Sequence, residues 1–346
     1  MNIPRVARYD YVLKKSCEFI LSENFKIFPI NPFNIINKKK WGLITYTELS
    51  QINCITTDSV CKAFKTEHSY SIYDGIYVIA YNNGKSVGRT LFNLLHEIGH
   101  IVLNHFVDFK DTILLDFNEV ILRNNSLTEG KYKILENEAN CFARNALSPI
   151  VLVNYLNLSE SNIVNAFNVT DAAATTRLDF KRRDLYWITS HDYKLLLEHF
   201  KPFIYKATHA YHCSNCQTVF VAENANYCPI CSNRAKKIKL HIRSDFDMIY
   251  PGYKVAEKGQ LMQCIRCQNE EIEESAYYCK ICGASVVNEC SNQNCRQSSD
   301  SNARYCISCG CDTTFYEQGL LPAWNVDDPA QEESAVAINN DFLGPL

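Results

Sequence analysis

Two histidines four residues apart, His96 and His100, enclose Glu97 in the run His96-Glu97-Ile98-Gly99-His100. On an α-helix such residues project from one edge a turn apart, near enough to hold a single zinc ion between two imidazoles. Glu97 lies about 100° further round. From there it can reach a water on the metal without taking a coordination position itself. Two imidazole ligands with a neighbouring glutamate as general base are the parts of zinc-dependent hydrolysis. The competing explanation is two histidines on a surface helix by chance. The surroundings oppose it, because Leu91, Leu94, Leu95, Ile98 and Val102 recur at helical spacing and give residues 91–105 an apolar stripe.

A catalytic zinc takes a third protein ligand and leaves a fourth position for water. His105 lies five residues past His100, about 140° round the helix, and is expected to face elsewhere. Six residues past His100, where other zinc hydrolases place a third histidine, the chain has Phe106. The better source is residues 132–147, a second amphipathic helix whose Ile134, Phe142, Ala143 and Leu147 can pack on the first. It carries Glu136 and Glu138. Glu136 stands one turn before Asn140 and shares its face, so the carboxylate could bind metal while the amide steadies a ligand histidine. Glu138 points nearly opposite. This favours Glu136 and leaves Glu138 as the alternative. Arg89 and Asn140 also have a plainly structural explanation.

The elements that must position these residues follow from punctuation and periodicity. Residues 8–24 form a helix with Val12, Cys17, Phe19, Ile20 and Leu21 inward, and Pro29 and Pro32 break the chain. Trp41 to Tyr46 is expected to be a strand, and Ser59 to Phe64 a helix opening near Thr57 and Asp58. Asp74-Gly75 joins Ser69–Tyr73 to Ile76–Tyr81 as a hairpin, and Asn83-Gly84 turns into the histidine helix. Ile76–Tyr81 is expected at the sheet edge, where Ile76, Val78 and Tyr81 could bind an extended peptide across the zinc. An ordinary core strand is compatible with the same residues. After Pro149, Glu160–Phe167 and Asp171–Arg182 are helical, with Thr170 as a cap, and Asp192–Phe200 follows. Residues 159–183, with Lys181-Arg182-Arg183, also fit the helix-turn-helix of a DNA reader. Packing within the domain explains them equally.

The paired motifs HEIGHIVLNH and ENEANCFARNALSP, preceded by DGIYVIAYNN and RTLFNLLHE, resemble the ImmA/IrrE family of metallo-endopeptidases. The resemblance runs over roughly residues 8–185. It implies a gluzincin-like zinc peptidase with a helix-borne glutamate as third ligand, and its Glu-x3-Asn pattern falls on Glu136 and Asn140. It also implies protein substrates that are usually helix-turn-helix repressors of mobile elements or stress genes. Ser148-Pro149 stands where the family often has Met-Pro, a change expected to affect packing and not chemistry.

Thirteen of the 17 cysteines follow residue 210, nearly all in Cys-x2-Cys pairs, which in a reducing compartment signals metal binding in preference to disulfides. Cys213, Cys216, Cys228 and Cys231 form one set. Cys264, Cys267, Cys279 and Cys282 repeat its spacing, and Cys290, Cys295, Cys306 and Cys309 form a looser third, with Cys311 as a substitute for Cys309. Each set suits one structural zinc, whose binding would supply folding energy to a unit too small for its own core. One catalytic and about three structural zinc ions are therefore expected. Ala225-Asn-Tyr-Cys, Ala276-Tyr-Tyr-Cys and Ala303-Arg-Tyr-Cys repeat locally, so Tyr227, Tyr278 and Tyr305 are expected to pack the knuckles. Cys17, Cys54, Cys61 and Cys141 are expected to be small buried apolar residues. Lys236, Lys237, Lys239 and Arg243 could touch phosphate or simply form a solvated linker, and protein docking is favoured over nucleic acid for the ribbons.

The organisation expected is α+β: a zinc peptidase domain over 1–206, ribbons over 207–240, 261–288 and 289–316, a linker over 241–260, and an acidic disordered tail over 317–346. A net charge of −3 gives no global attraction to nucleic acid or acidic membranes, and no apolar run suits a bilayer. The N-terminus lacks a signal-peptide core, so a cytoplasmic protein is expected. The competing function is a zinc-dependent regulator or adaptor that binds a repressor or nucleic acid without cutting. Intact Glu97 favours the enzyme.

Overall fold

The structure, a computed structural model, describes residues 4–108, 129–242, 248 and 250–325. Internal contacts divide the chain into two units, Met1–Tyr205 and Lys206–Leu346. The first begins with α1 (Tyr9–Glu23), α2 (Pro32–Lys39), β1 (Gly42–Thr45), α3 (Tyr46–Ile52) and α4 (Thr57–Phe64). Then come β2 (Ser69–Asp74), β3 (Ile76–Tyr81), α5 (Val87–Val102), α6 (His105–Asp108) and α7 (Glu129–Leu147). It continues with α8 (Ile150–Tyr155), α9 (Glu160–Phe167), α10 (Asp171–Asp179), α11 (Lys181–Trp187) and α12 (Ser190–His199), and the division falls within α13 (Lys201–Thr208). The fold is α+β.

Pro32 starts a helix where a break was expected: it occupies the first turn of α2, where no N–H is needed, and Asn31 Oδ1 accepts from Phe33 N at 2.9 Å. The strand read as reaching Tyr46 stops at Thr45, whose side chain forms a capping box with Glu48 and turns the chain into α3.

The sheet corrects the placement of Ile76, Val78 and Tyr81. Its order is β1-β3-β2, so β3 is central. It pairs antiparallel with β2, from Ser69 opposite Tyr81 to Asp74 opposite Ile76, and parallel with β1, from Gly42 opposite Val78 to Thr45 opposite Tyr81. Both backbone edges of β3 are used, which leaves none for a peptide. Among the described residues the outer strands of this sheet are β1 and β2. Below the sheet, α5 crosses α7 closely, with Leu94, Leu95, Ile98, Ala139 and Phe142 buried. Gly99 makes this possible, since a Cβ there would meet Phe142 Cδ1 at 3.0 Å and Ala139 O at 3.3 Å.

The helix expected over Asp171–Arg182 breaks at Phe180 (φ −88°, ψ 3°) into α10 and α11. The reason lies in the interior. Arg177 and Asp184, both fully buried, form an ion pair across that corner, and Asp184 also takes Arg144 at 3.6 Å and Arg183 at 2.8 Å. Arg183, counted as part of a basic patch, is thus engaged with Asp184 and stacked on Tyr9 and Phe180.

The second unit contains β4 (Ala210–His212), β5 (Val219–Val221) and β6 (Lys236–Lys237), ordered β5-β4-β6, and α14 (Thr314–Glu317). The three cysteine units fit tandem zinc ribbons. Two of the expected boundaries enclose packed chain. In the linker over 241–260, Tyr250 Oη donates to Cys216 O at 3.2 Å and Gln260 Nε2 to Ala276 O at 2.8 Å. The tail expected to lack structure from residue 317 begins with Leu320 and Leu321 buried against Phe315 and Val286, and with Trp324 against the first ribbon. These apolar residues precede the acidic stretch that suggested disorder. Arg243 and residues 326–346 lie outside the described residues. Among the described residues no helix is long and apolar enough to cross a membrane.

Candidate metal centre

The crossing of α5 and α7 brings His96, His100 and Glu136 together. Their Nε2 and carboxylate oxygen atoms all lie within 4.8 Å of one another. The two Nε2 atoms are 3.1 Å apart, Glu136 Oε2 is 3.2 Å from His96 Nε2, and Glu136 Oε1 is 3.2 Å from His100 Nε2. Tetrahedral ligands about 2.0–2.1 Å from zinc stand about 3.3 Å from each other. These spacings match those between ligands of one zinc ion, with one oxygen of Glu136 facing each imidazole. Burial pulls the His96 imidazole toward neutrality, but Glu136 outweighs it and the group is raised on balance. Burial likewise opposes ionisation of Glu136, yet His100 and His96 hold its carboxyl well below the usual range.

Asn140, one turn past Glu136, sets the ring of His96: its Oδ1 lies 3.0 Å from His96 Nδ1. His100 is held differently, by a residue that the helical angle had dismissed. The helix ends at Val102, and the chain turns through Leu103 and Asn104, the latter with φ +58°, before α6 begins. His105 Nδ1 is thereby brought 2.9 Å from His100 Nδ1. Its Nε2 lies 3.1 Å from Glu138 Oε2, and Glu138 is ion-paired with Arg8 at 2.7 Å. Glu138, the alternative ligand, is therefore engaged by His105 and Arg8 instead of the triangle, with its own side chain and that of His105 fully buried. Burial lowers the His105 imidazole to about 4. It works against ionised Glu138, but hydrogen bonds from His105 and Arg8 prevail and keep that carboxyl at about 2. A histidine just past the end of a metal helix, near the same glutamate helix, was the signal available in the sequence.

Glu97 is buried and lies outside the triangle. Two serines hold it from β2: Ser69 Oγ donates to Oε1 at 2.8 Å, and Ser71 Oγ donates to Oε2. Residues two apart on a strand share a face, so β2 presents both hydroxyls to one carboxylate. Sequence reasoning missed this pair, although serine at alternate positions of a strand beside the metal helix was visible.

In the second unit, Cys213, Cys216, Cys228 and Cys231 form one cluster, Cys264, Cys267, Cys279 and Cys282 a second, and Cys290, Cys295, Cys306 and Cys309 a third. Opposed sulfurs stand 3.5 Å apart in the first, 3.5 and 3.6 Å in the second, and 3.4 and 3.7 Å in the third. Four thiolates about 2.3 Å from zinc would be about 3.8 Å apart. Cys309 joins the third cluster, whereas Cys311 stands beside it, accepting from Asn292 Nδ2 at 3.8 Å. Cys17 and Cys141 are buried as expected and Cys61 is half-buried. Cys54 is exposed, because it sits in the turn after α3 in a left-handed conformation.

Residues 60–155 match the family model described as the IrrE N-terminal-like domain, Peptidase_M78. The matched stretch contains β2, β3, His96, Glu97, His100, Glu136 and Asn140, and over it the chain is similar to a metallopeptidase family. The resemblance to the ImmA/IrrE family is borne out over these residues, while the ribbons lie outside the match. No curated protein matches the chain.

Proposed function

We propose that this chain is a zinc-dependent endopeptidase that cuts a helix-turn-helix transcriptional repressor at a defined position. The observation that carries the reading is the His96–His100–Glu136 triangle at the spacing of zinc ligands, beside a Glu97 that takes no part in it. His96, His100 and Glu136 would hold the catalytic zinc, and the three cysteine clusters one structural zinc each, four in all. Zinc in the triangle supplies Lewis acidity toward a peptide carbonyl and toward water. Glu97 removes the proton from the attacking water and returns it to the leaving amine. Ser69 and Ser71 hold the carboxylate for both transfers. If Nε2 of His100 were to hold the metal, its Nδ1 would carry the ring proton and donate to Nδ1 of His105. His105 must then be protonated on Nε2, which donates to Glu138. The substrate runs extended along the edge of β2, the strand that carries the two serines.

The repressor rests on the family resemblance. A cytoplasmic location rests on cysteine spacing that suits metal in preference to disulfides, as in a reducing compartment. Burial of Arg177 and the engagement of Arg183 speak against DNA reading by residues 159–183. Co-expression with a helix-turn-helix repressor from the same locus tests the proposal. Two discrete fragments are expected with wild type and none with Glu97→Gln, which keeps its zinc. A repressor bound, released from DNA and left whole would establish the non-catalytic regulator instead.

A further inference from the structure

The three cysteine units share more than ligand spacing, and two of them reveal a use for what they share. Each carries Ala-x-Tyr-Cys ahead of its second pair, at Ala225–Cys228, Ala276–Cys279 and Ala303–Cys306. In each, the tyrosine sits at a hairpin bridge, Tyr227 with Arg234, Tyr278 with Ser285 and Tyr305 with Asp312. The hairpin consumes the carbonyl two residues before the cysteine, accepting from Ala235 at 3.2 Å, Val286 at 2.9 Å and Thr313 at 2.9 Å. It leaves the N–H groups of the two residues before the cysteine unused.

The first and third units use these groups on each other. Asn226 and Tyr227 N–H donate to the carbonyl of Ile307 at 2.8 and 3.0 Å. Reciprocally, Arg304 and Tyr305 N–H donate to the carbonyl of Pro229 at 2.7 and 3.0 Å. Ile307 and Pro229 each follow the first cysteine of their pair. The contact is therefore two-fold in its backbone although the two sequences differ, and a surface that pairs this way is complementary to itself. Ser232 Oγ adds a bond to Gly310 O at 2.7 Å.

The middle unit has the same groups and no partner for them. Among the described residues nothing pairs with the N–H of Tyr277 or Tyr278 or with the carbonyl of Lys280. Around them Tyr277 is 58%, Tyr278 61% and Ile281 66% exposed, while Ile230, the counterpart of Ile281 in the first unit, is 2% exposed. Unpaired backbone edges flanked by exposed large apolar side chains mark an association surface. The charge at its centre does not oppose a like partner, since Lys280 is ion-paired with Glu271 at 2.9 Å.

We propose that the middle ribbon is a homodimerisation surface, on which the knuckle Tyr277–Ile281 pairs with the same knuckle of a second copy of this chain. The arrangement is the two-fold one that the outer ribbons make within a single chain. A contact of this size is small, so the association is weak and concentration-dependent. The proposal is independent of whether the first unit cuts peptides.

Sedimentation velocity of the full zinc-loaded chain, from about 1 to 200 μM to span weak affinities, tests it. A reversible monomer–dimer equilibrium is expected. Tyr278→Asp and Ile281→Asp, each at an exposed position, should raise the dissociation constant about tenfold or more by facing like charges across the axis. Amide exchange at Tyr277 and Tyr278 should slow as concentration rises, and Lys280–Lys280 cross-links should form between isotopically distinct copies. These two readings on wild type decide the matter even where a variant loses its zinc. A chain monomeric throughout, a dimer indifferent to both substitutions, or a dimer with unprotected Tyr277 and Tyr278 amides would overturn the proposal. So would capture of a different ribbon protein by a chain that does not self-associate.

Discussion

Ser69 donates its hydroxyl to Glu97 across 2.8 Å, from the edge strand to the metal helix, and Ser71 secures the other carboxylate oxygen. A carboxylate held at both oxygens is fixed in place, which matters if Glu97 is the proton-transfer group proposed above. Ser69→Ala and Ser71→Ala should therefore lower kcat about 10- to 100-fold, the range expected when a reacting group is misplaced by a fraction of an ångström to an ångström. KM and zinc content should stay as in wild type. Steady-state kinetics with metal analysis checks this, and a change in KM alone would assign the serines to substrate binding.

Glu136 and Glu138 are two residues apart and should behave oppositely. Glu136→Gln removes a carboxylate from the triangle, so catalytic zinc affinity should fall while thermal stability changes little. Glu138→Gln leaves Arg8 facing a neutral amide in a buried cluster. It should destabilise the first unit by about 1–3 kcal/mol, the range for weakening a charged hydrogen bond whose arginine is only partly buried. Any loss of zinc should be milder, about tenfold, because Glu138 reaches the metal ligand only through His105. Chelator competition and thermal melts on both variants read the crossing.

Asp184 balances Arg177, Arg144 and Arg183 in the interior. Burial alone would raise its carboxyl, but the arginines win and it titrates below its ordinary value of 3.8. A carboxylate depressed in the folded state contributes stability above its unfolded pKa. That contribution is lost as pH falls below about 3.8. Asp184→Asn should cost about 3–5 kcal/mol at neutral pH, and its stability should fall less steeply in acid than that of wild type. Urea unfolding at several pH values measures both.

Zinc analysis of protein purified without chelator should give close to four ions per chain. A value near one would remove the ribbons, and a value near three would remove one cluster. The backbone pairing of the first and third ribbons adds a further expectation. Cys306→Ser should release its own zinc and also accelerate amide exchange at Asn226 and Tyr227. Unchanged exchange there would show that the two ribbons fold independently.

The grouping at the candidate metal centre was legible because one turn of helix fixes His96 beside His100 and Glu136 beside Asn140, whatever the tertiary context. The cysteine clusters were legible because knuckle spacing is equally local. What escaped was non-local. Four residues of β1 pair parallel to β3 only after α3 and α4 have returned the chain, and this moved Ile76–Tyr81 from the edge to the centre of the sheet. His105 was set aside on a helical angle that ceases to apply once the helix ends at Val102. The break at Phe180 depends on the buried pairing of Arg177 with Asp184, seven residues apart, which no local propensity reports.

Mass spectrometry of a purified helix-turn-helix repressor from the same locus, incubated with the zinc-loaded chain, tests the central claim most directly. The account predicts one new pair of termini, separated by a single hydrolysed bond. These termini should disappear on chelation, return with zinc, and be absent with zinc-loaded Glu97→Gln, since loss of a general base typically costs about 10²–10⁴-fold. Equal fragment yield from wild type and Glu97→Gln, or an intact repressor with fully zinc-loaded wild type, would contradict it.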